Sequence, residues 1–158
     1  MNRPHHRPQR YVRNTSVSRL RHADVEVGTE IPEQTFPVRR LDLVRYAGAS
    51  GDFNPIHWNE RFAKSVGLPD VIAHGMFTMA EAARVLTDWT GDPGCVLDYS
   101  VRFSAPVVVP DDDEGAEITV GGKVKAKNED GTVNVLLTAR SGGAKVLVQS
   151  KALVRLAS

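Results

Sequence analysis

The sequence is short of cysteine, of long hydrophobic runs and of net charge. Cys95 is the single cysteine among 158 residues, which excludes an internal disulfide framework and favours a core thiol in a reducing compartment, so we expect a cytoplasmic protein. No apolar run approaches the roughly 20 residues that a membrane-spanning helix requires. A formal charge of +1 indicates no particular partner. These properties are typical of one globular domain that is long enough to bury a core.

The N-terminal 23 residues contain no acidic residue. Pro4, Pro8 and a shortage of apolar side chains predict a disordered basic tail over residues 1–23, followed by one domain over residues 24–158. Basic N-termini also occur in mitochondrial presequences, but the two prolines and the weak amphipathicity disfavour that interpretation. Nucleic-acid binding is disfavoured because no aromatic platform accompanies the arginines.

The strongest helical pattern runs from Gly75 to Thr90 and ends before Gly91. Its many apolar side chains leave only a narrow polar stripe, so we expect a helix that is almost completely enclosed. Two shorter helices are predicted earlier in the chain, one that ends at Gly48 and one that is capped by Asn59.

Strand patterns dominate the rest of the chain. Pro37 places a first strand, residues 33–38, at a sheet edge, and four strands with alternating apolar residues follow the long helix. The predicted inner-face residues are Leu97, Tyr99, Val101 and Phe103, then Ile118, Val120, Val124 and Ala126, then Val133, Val135, Leu137 and Ala139, and finally Val146, Val148, Ala152, Val154 and Leu156. The acidic residues 111–114 lack the ordered spacing of a cation site and are assigned to a solvated loop. One enclosed helix before a mostly antiparallel sheet predicts an α+β domain in which the sheet wraps the helix.

One stretch, Tyr46 to His57, combines an acid, an amide and an imidazole. Gly51 and Pro55 interrupt the preceding helix, and the turn between them should let Asp52 face His57. A carboxylate beside an imidazole can hold a water molecule and move its proton near neutral pH. The alternative is that the acid and the amide only form the turn, with the histidine at the surface or capping the next helix.

Other arrangements of these side chains are weaker. Asp52, His57 and His74 could hold a metal, but two histidines and one acid without a further firm ligand do not make a typical site. Ser50 is crowded against its own base, and the nucleophile-elbow pattern of a serine triad is absent. No phosphate loop or dinucleotide fingerprint occurs, so no cofactor is expected.

The run Tyr46 to His57, followed by Ala73-His74-Gly75-Met76, resembles the signature of the MaoC-like family of R-specific enoyl-thioester hydratases and 3-hydroxyacyl-thioester dehydratases. Its Gly-Asp-x-Asn-Pro-[aliphatic]-His core is filled here without exception. Within this family, residues 46–52, 91–94 and 99–103 are most similar to the catalytic subunits of the 3R-hydroxyacyl carrier-protein dehydratases of fatty-acid and mycolic-acid elongation.

The resemblance implies a single hotdog fold over residues 24–157, paired with a second hotdog unit as a homodimer or with a related subunit. The implied reaction is reversible dehydration of 3R-hydroxyacyl thioesters, of a carrier protein or coenzyme A, to trans-2-enoyl thioesters. No metal, nucleic acid or membrane is expected as a partner. Two alternatives remain, a non-catalytic subunit that only holds an acyl chain and a hotdog thioesterase.

Each site residue receives a role from this resemblance and from the chemistry of dehydration. His57 is expected to handle the proton at the α-carbon and Asp52 the hydroxyl or water, while Asn54 shapes the turn. The backbone N–H of Gly75, at the start of the long helix, is the expected oxyanion donor. His74 is expected to cap that helix or to pack under the turn.

Overall fold

The computed structural model describes residues 19–158, which form three α-helices and five β-strands. The helices are α1 (Arg40–Ser50), α2 (Glu60–Ser65) and α3 (Gly75–Thr90). The strands are β1 (Glu30–Val38), β2 (Val96–Phe103), β3 (Ala116–Lys127), β4 (Thr132–Ser141) and β5 (Ala144–Arg155). The sheet order is β1-β3-β4-β5-β2, and every neighbouring pair is antiparallel. This arrangement confirms the predicted α+β architecture.

Helix α3 packs against β1, β2 and β3. Ala82, Val85 and Leu86 are fully buried at helical spacing, which is the pattern of a helix that contacts its neighbours along one stripe. Met76, by contrast, is 57% exposed. The bounds of α3 agree with the prediction. As predicted, the helix is largely enclosed: its exposed residues after Gly75 form one narrow stripe at a spacing of four, namely Met76, Ala80, Arg84 and Asp88.

The inner face of the sheet carries most of the apolar core. The four residues predicted for β4 are all buried, as are three of the four predicted for β3; they are Val133, Val135, Leu137 and Ala139, with Ile118, Val120 and Val124. Cys95 is also buried, as predicted for a core thiol. None of the helices within residues 19–158 is long and apolar enough to cross a membrane.

Strand β5 departs from simple alternation at a β-bulge. Gln149 has a positive φ of 49°, and the extra residue lies between Leu147 and Ser150, both of which pair with inner-face residues of β4. The bulge brings Leu147 into the core, where it is 1% exposed. The prediction that Val148 faces inwards is therefore wrong, because one inserted residue reverses the facing of its neighbours.

The strand β1 forms one edge of the sheet, as Pro37 predicted. Its side chains Ile31, Phe36 and Val38 are buried. The pairing of β1 with β3 shifts between Ile31 and Gln34, an irregularity that interrupts the flat edge. At this edge, the apolar side chains are buried and the irregular pairing disfavours association with another strand.

The strand β2 forms the opposite edge, and it is more open. Tyr99 and Val101 pack against the core as predicted, but Leu97 is 45% exposed and Phe103 is 49% exposed. The predicted burial in the core is therefore wrong for Leu97 and Phe103. Within residues 19–158, no further strand pairs with the outer side of β2.

The two short helices lead into and out of the Asp52 turn. The prediction that α1 ends at Gly48 is wrong, because the helix continues to Ser50 and ends at Gly51, which has a φ of 77°. An isolated glycine costs a helix only about 1 kcal/mol relative to alanine, so it does not stop one by itself. Asn59 caps α2 as predicted, since its side-chain oxygen accepts a hydrogen bond from the backbone N–H of Phe62.

Residues 20–22 are attached to the far ends of α3 and β5. The backbone N–H of Leu20 donates to the carbonyl of Thr90 at 2.9 Å, and the carbonyl of Leu20 accepts from the N–H of Ala157 at 3.0 Å. The N–H of His22 donates to the carbonyl of Ala157 at 2.8 Å. These bonds tie a segment that the sequence assigned to the tail to the rest of the domain. The tail prediction for residues 1–18 lies outside the described residues.

Candidate active site

The Asp52 turn is held by hydrogen bonds from its own side chains. Gly51 adopts the left-handed conformation that turns the chain out of α1, and the Ser50 hydroxyl accepts from the N–H of Asp52 at 3.2 Å. Asp52 Oδ1 accepts from the N–H of Asn54 at 3.2 Å, and Asn54 Oδ1 accepts from the N–H of Ile56 at 3.3 Å. One carboxylate oxygen of Asp52 therefore fixes the turn, while the side chain as a whole is 52% exposed.

His57 lies in the short 3₁₀ turn Pro55–His57 and is only 7% exposed. Its Nδ1 is 2.8 Å from the backbone oxygen of Ile72, and because a carbonyl can only accept, Nδ1 carries the hydrogen. The unprotonated nitrogen of the neutral ring is then Nε2, which lies 3.9 Å from Asp52 Oδ2. That distance exceeds a direct hydrogen bond, so the two groups can face a common atom between them. The structure thus brings together the predicted acid and imidazole.

The environment of His57 favours its uncharged form. Burial lowers the pKa of His57, and the bond to the Ile72 carbonyl and the charge of Asp52 oppose that shift only in part. A lowered pKa leaves Nε2 unprotonated at neutral pH, where it can accept a proton. The pair therefore consists of a half-exposed acid and a buried base.

His74 lies directly beneath this pair and is 1% exposed. Its Nε2 donates to the backbone oxygen of Asp52 at 3.0 Å, and its ring stacks on that of His57 with centroids 3.7 Å apart and planes 23° apart. It makes no side-chain cap bond to α3, so of the two expectations for His74 the packing under the turn is the one observed. Tyr46 packs on His74 at 4.8 Å.

Gly75 begins α3 next to an aromatic ring. A Cβ atom at this position would lie 3.1 Å from Phe103 Cε1, which is tighter than ordinary contact, so the glycine lets the β2 edge approach the helix terminus. Gly75 and His57 line a cavity of about 410 Å³. The other lining residues are Ile56, Ile72, Ala73, Thr78, Phe103, Ser104, Ala105, Pro106, Val107 and Val146. Most of these lining residues are apolar, and the polar side chains among them are His57, Thr78 and Ser104.

The same side chains offer a possible set of metal ligands. One ligand atom each from Asp52, His57 and His74 lies within 4.8 Å of the others. However, each histidine already has one nitrogen bonded to a backbone carbonyl, and a closed structural zinc site takes four ligands. Acid–base chemistry uses this arrangement more directly than metal binding does.

Several residues of the site were not predicted from the sequence. The Ile72 carbonyl sets which nitrogen of His57 is free, but a backbone oxygen leaves no mark in the sequence. Thr78 lines the cavity, and its position four residues after His74, on the same helix face, was an available signal. Phe103 was expected in the core and instead covers Gly75.

Comparison with known proteins identifies the family. Residues 23–141 match the family described as MaoC like domain. The chain belongs to the MaoC-like family. It is 34% identical over 118 residues to the (R)-specific enoyl-CoA hydratase of Rhodospirillum rubrum, covering 74% of this chain and 78% of that protein. It is 44% identical over 79 residues to 3-hydroxyacyl-thioester dehydratase X of Mycobacterium tuberculosis, covering 50% of this chain and 27% of that protein.

Solved structures give the same result for the fold. A MaoC-like dehydratase superposes with a TM-score of 0.83 at 47% identity, covering 87% of this chain and 42% of that chain. The ChsH1-ChsH2 complex of Mycobacterium tuberculosis superposes with a TM-score of 0.69 at 23% identity, covering 84% of this chain and 97% of that chain, and shows the fold alone. The MaoC-like chain thus has the predicted hotdog fold. It spans between 4% and 56% of the length of the first three curated relatives that it matches.

Proposed function

We propose that this MaoC-like protein is a hydro-lyase that reversibly dehydrates 3R-hydroxyacyl thioesters to trans-2-enoyl thioesters. The observation that carries the proposal is the buried His57 ring, whose Nδ1 is committed to Ile72 and whose Nε2 faces Asp52. The hydratase and dehydratase relatives support the same reaction class. The acyl group is carried by coenzyme A or by a carrier protein.

Two proton movements are needed, and both fall within reach of the pair. His57 Nε2 takes the proton from the carbon next to the thioester carbonyl, and the electron pair of that C–H bond moves towards the carbonyl. The bond from the neighbouring carbon to its hydroxyl then breaks, and the hydroxyl leaves as water after accepting a proton from the acid–base pair. Asp52 holds this hydroxyl, or the attacking water in the reverse direction. No net proton is gained or lost.

Negative charge on the thioester oxygen needs a donor, and Gly75 is the proposed one. Its N–H is one of the unpaired amides at the start of α3, where the helix dipole favours an anion. The glycine is on the wall of the cavity that also contains His57. An oxyanion-hole donor of this kind contributes about 10²–10³-fold in kcat.

We also propose that the chain works as a pair of hotdog units, with a second copy or a related subunit. On the outer side of β2 and on the exposed stripe of α3, three apolar side chains are about half exposed or more: Leu97, Phe103 and Met76. An unpaired edge next to apolar side chains is a surface for association. The pairing would cover the side of the domain on which Phe103 adjoins the cavity.

The direct test is a spectrophotometric assay of the purified protein with trans-2-enoyl thioesters of several chain lengths. We expect loss of the enoyl absorbance without added metal or nucleotide, and chiral analysis should identify the R-3-hydroxy product. The matched control is His57→Gln, in which the base is removed and a polar side chain of similar size is kept. Equal rates in the two proteins would contradict the proposal.

The same assay separates the two other functions. A thioesterase releases free thiol, which a thiol reagent detects, whereas a hydratase leaves the thioester intact. A subunit that only holds an acyl chain binds the enoyl thioester and leaves its absorbance unchanged, alone and with any related subunit. The reactive geometry of Asp52 and His57 favours the hydro-lyase over both.

A further inference from the structure

His74 lies in the centre of the site, yet the proposed proton transfers do not use it. It is 1% exposed, and its Nδ1 has no hydrogen-bond partner among residues 19–158. Burying a polar ring with an unsatisfied nitrogen costs free energy, and an apolar side chain would avoid that cost. A histidine at this position therefore calls for a role beyond filling space.

The edge of the His74 ring holds the backbone of the acid. Its Nε2 donates to the carbonyl of Asp52 at 3.0 Å, from the residue that immediately precedes α3. The other bonds of Asp52 link it to Ser50 and Asn54 within the same turn. The bond from His74 is thus the one that joins the acid to the helix whose first amide is the proposed oxyanion donor.

The face of the same ring covers the base. The rings of His74 and His57 stack with centroids 3.7 Å apart, and Tyr46 packs against His74 at 4.8 Å. A stacked ring keeps water away from one face of His57. The ionisable groups that act on His57 are Asp52, from the turn after α1, and His74, from the residue before α3.

We propose that His74 is a positioning residue that holds the Asp52 backbone through its ring edge and the His57 imidazole through its ring face. This inference rests on the proposed function, because it assigns His74 to the geometry of that acid–base pair. The two contacts belong to different parts of one side chain, so two substitutions can separate them. Glutamine retains a donor and removes the ring, whereas phenylalanine retains the ring and removes the donor.

The experiment compares wild type, His74→Gln and His74→Phe by NMR titration of the His57 ring and by kcat and KM for enoyl-thioester hydration. In His74→Gln, the His57 ring becomes more hydrated, so its pKa should rise towards the ordinary histidine value of about 6.5. In His74→Phe, the His57 pKa should move less, but kcat should fall about 10- to 100-fold with a smaller change in KM, because the acid is misplaced. A purely packing role would change thermal stability and leave both readouts unchanged. An unchanged His57 titration in His74→Gln, or an unchanged kcat in folded His74→Phe, overturns the proposal.

A second pair of variants covers the case in which a His74 variant does not fold. Tyr46→Leu removes the ring that packs against His74, and it should raise the His57 pKa in the same direction as His74→Gln. Tyr46→Phe keeps that ring and should leave the titration as in wild type. Identical titrations in Tyr46→Leu and Tyr46→Phe overturn the proposal. A wild-type protein that shows no hydration activity, either alone or with a related hotdog subunit, contradicts the proposed function instead. The NMR comparison needs no turnover and still tests the contact of His74 with His57.

Discussion

The two edge strands of the sheet, β1 and β2, differ in how far the chain itself covers them. At β1, three apolar side chains are buried, Pro37 lies in the strand and the pairing with β3 is irregular. At β2, Leu97 and Phe103 are about half exposed, and no strand in the described part of the chain pairs with its outer side. Natural proteins protect exposed edges by such irregularities or by pairing them. The difference shows that β1 is protected within the chain, whereas β2 is the edge at which we propose that a second hotdog unit pairs.

The candidate acid–base site adjoins the open edge. Phe103, at the end of β2, contacts Gly75, and both line the cavity that contains His57. The loop of residues 111–114 lies on the other side, where Gly115 approaches the end of β1 at Val38. Substitutions near β2 can therefore be compared with control substitutions near β1, to test whether catalysis and association both depend on the β2 side.

The largest effect is expected from the acid and the base. Asp52→Asn and His57→Ala should each lower kcat by about 10²–10⁴-fold, because neither new side chain can exchange the needed proton. The double variant should be far less impaired than the product of the single losses, because the two act as a unit. Steady-state kinetics and thermal unfolding on the same samples check this. Asp111→Asn, an exposed carboxylate on the β1 side, is the control, and near-wild-type turnover in folded His57→Ala would remove this site from consideration.

The next effect concerns the open edge. Leu97→Lys should weaken association at least about tenfold, since a charge placed in a desolvated contact costs more than about 1.4 kcal/mol. Val27→Lys, at an apolar residue that is 62% exposed before β1, should leave the assembly unchanged. Light scattering over a range of concentrations measures both. Equal dissociation of the two variants would mean that β2 is not the interface.

A smaller effect is expected at the contact between the edge and the helix. Gly75→Ala should lower kcat about tenfold, because the new methyl group presses on Phe103 and shifts the amide from its position. Adding Phe103→Leu should restore part of the rate by providing space. Gly48→Ala in α1 has open space around its Cβ and should raise stability by about 0.5–1 kcal/mol. No recovery in the double variant would show that Phe103 does not limit the position of Gly75.

The smallest effect is the position of the acid limb of the pH profile. Because burial lowers the pKa of His57, kcat/KM should fall only below the ordinary histidine value of about 6.5. The unfolded chain then binds more protons than the folded one just below that pH, so the free energy of unfolding should also fall as the pH drops. His57→Ala should lose this part of the pH dependence of unfolding. An acid limb above pH 7 would contradict the assignment of His57 as the base.

Local patterns predicted the elements that depend on local chemistry. The bounds of α3 follow from Gly75, Gly91 and a strong 3.6-residue period, and the meeting of Asp52 with His57 follows from a short, tightly bonded turn. The bulge at Gln149 was not predictable, because a register shift depends on the neighbouring strand and has no signature in the period of β5 alone.

The errors in burial have a common physical cause. Leu97 and Phe103 were assigned to the core because an apolar pattern reports only that a residue avoids water, and a surface reserved for a partner gives the same pattern. Under the proposed pairing, the exposed Met76 of α3 has the same explanation. The site shows a related limit, because the Ile72 carbonyl that orients His57 contributes no side chain to be recognised.

The pairing of Arg21 with Ala157 places the two ends of the described chain side by side. A short linker between these ends would therefore close the backbone into a ring without crossing the domain. New ends could then be opened in the exposed loop of residues 111–114, which makes no part of the sheet. The order in which the strands are connected can thus be changed while their neighbours in the sheet stay the same.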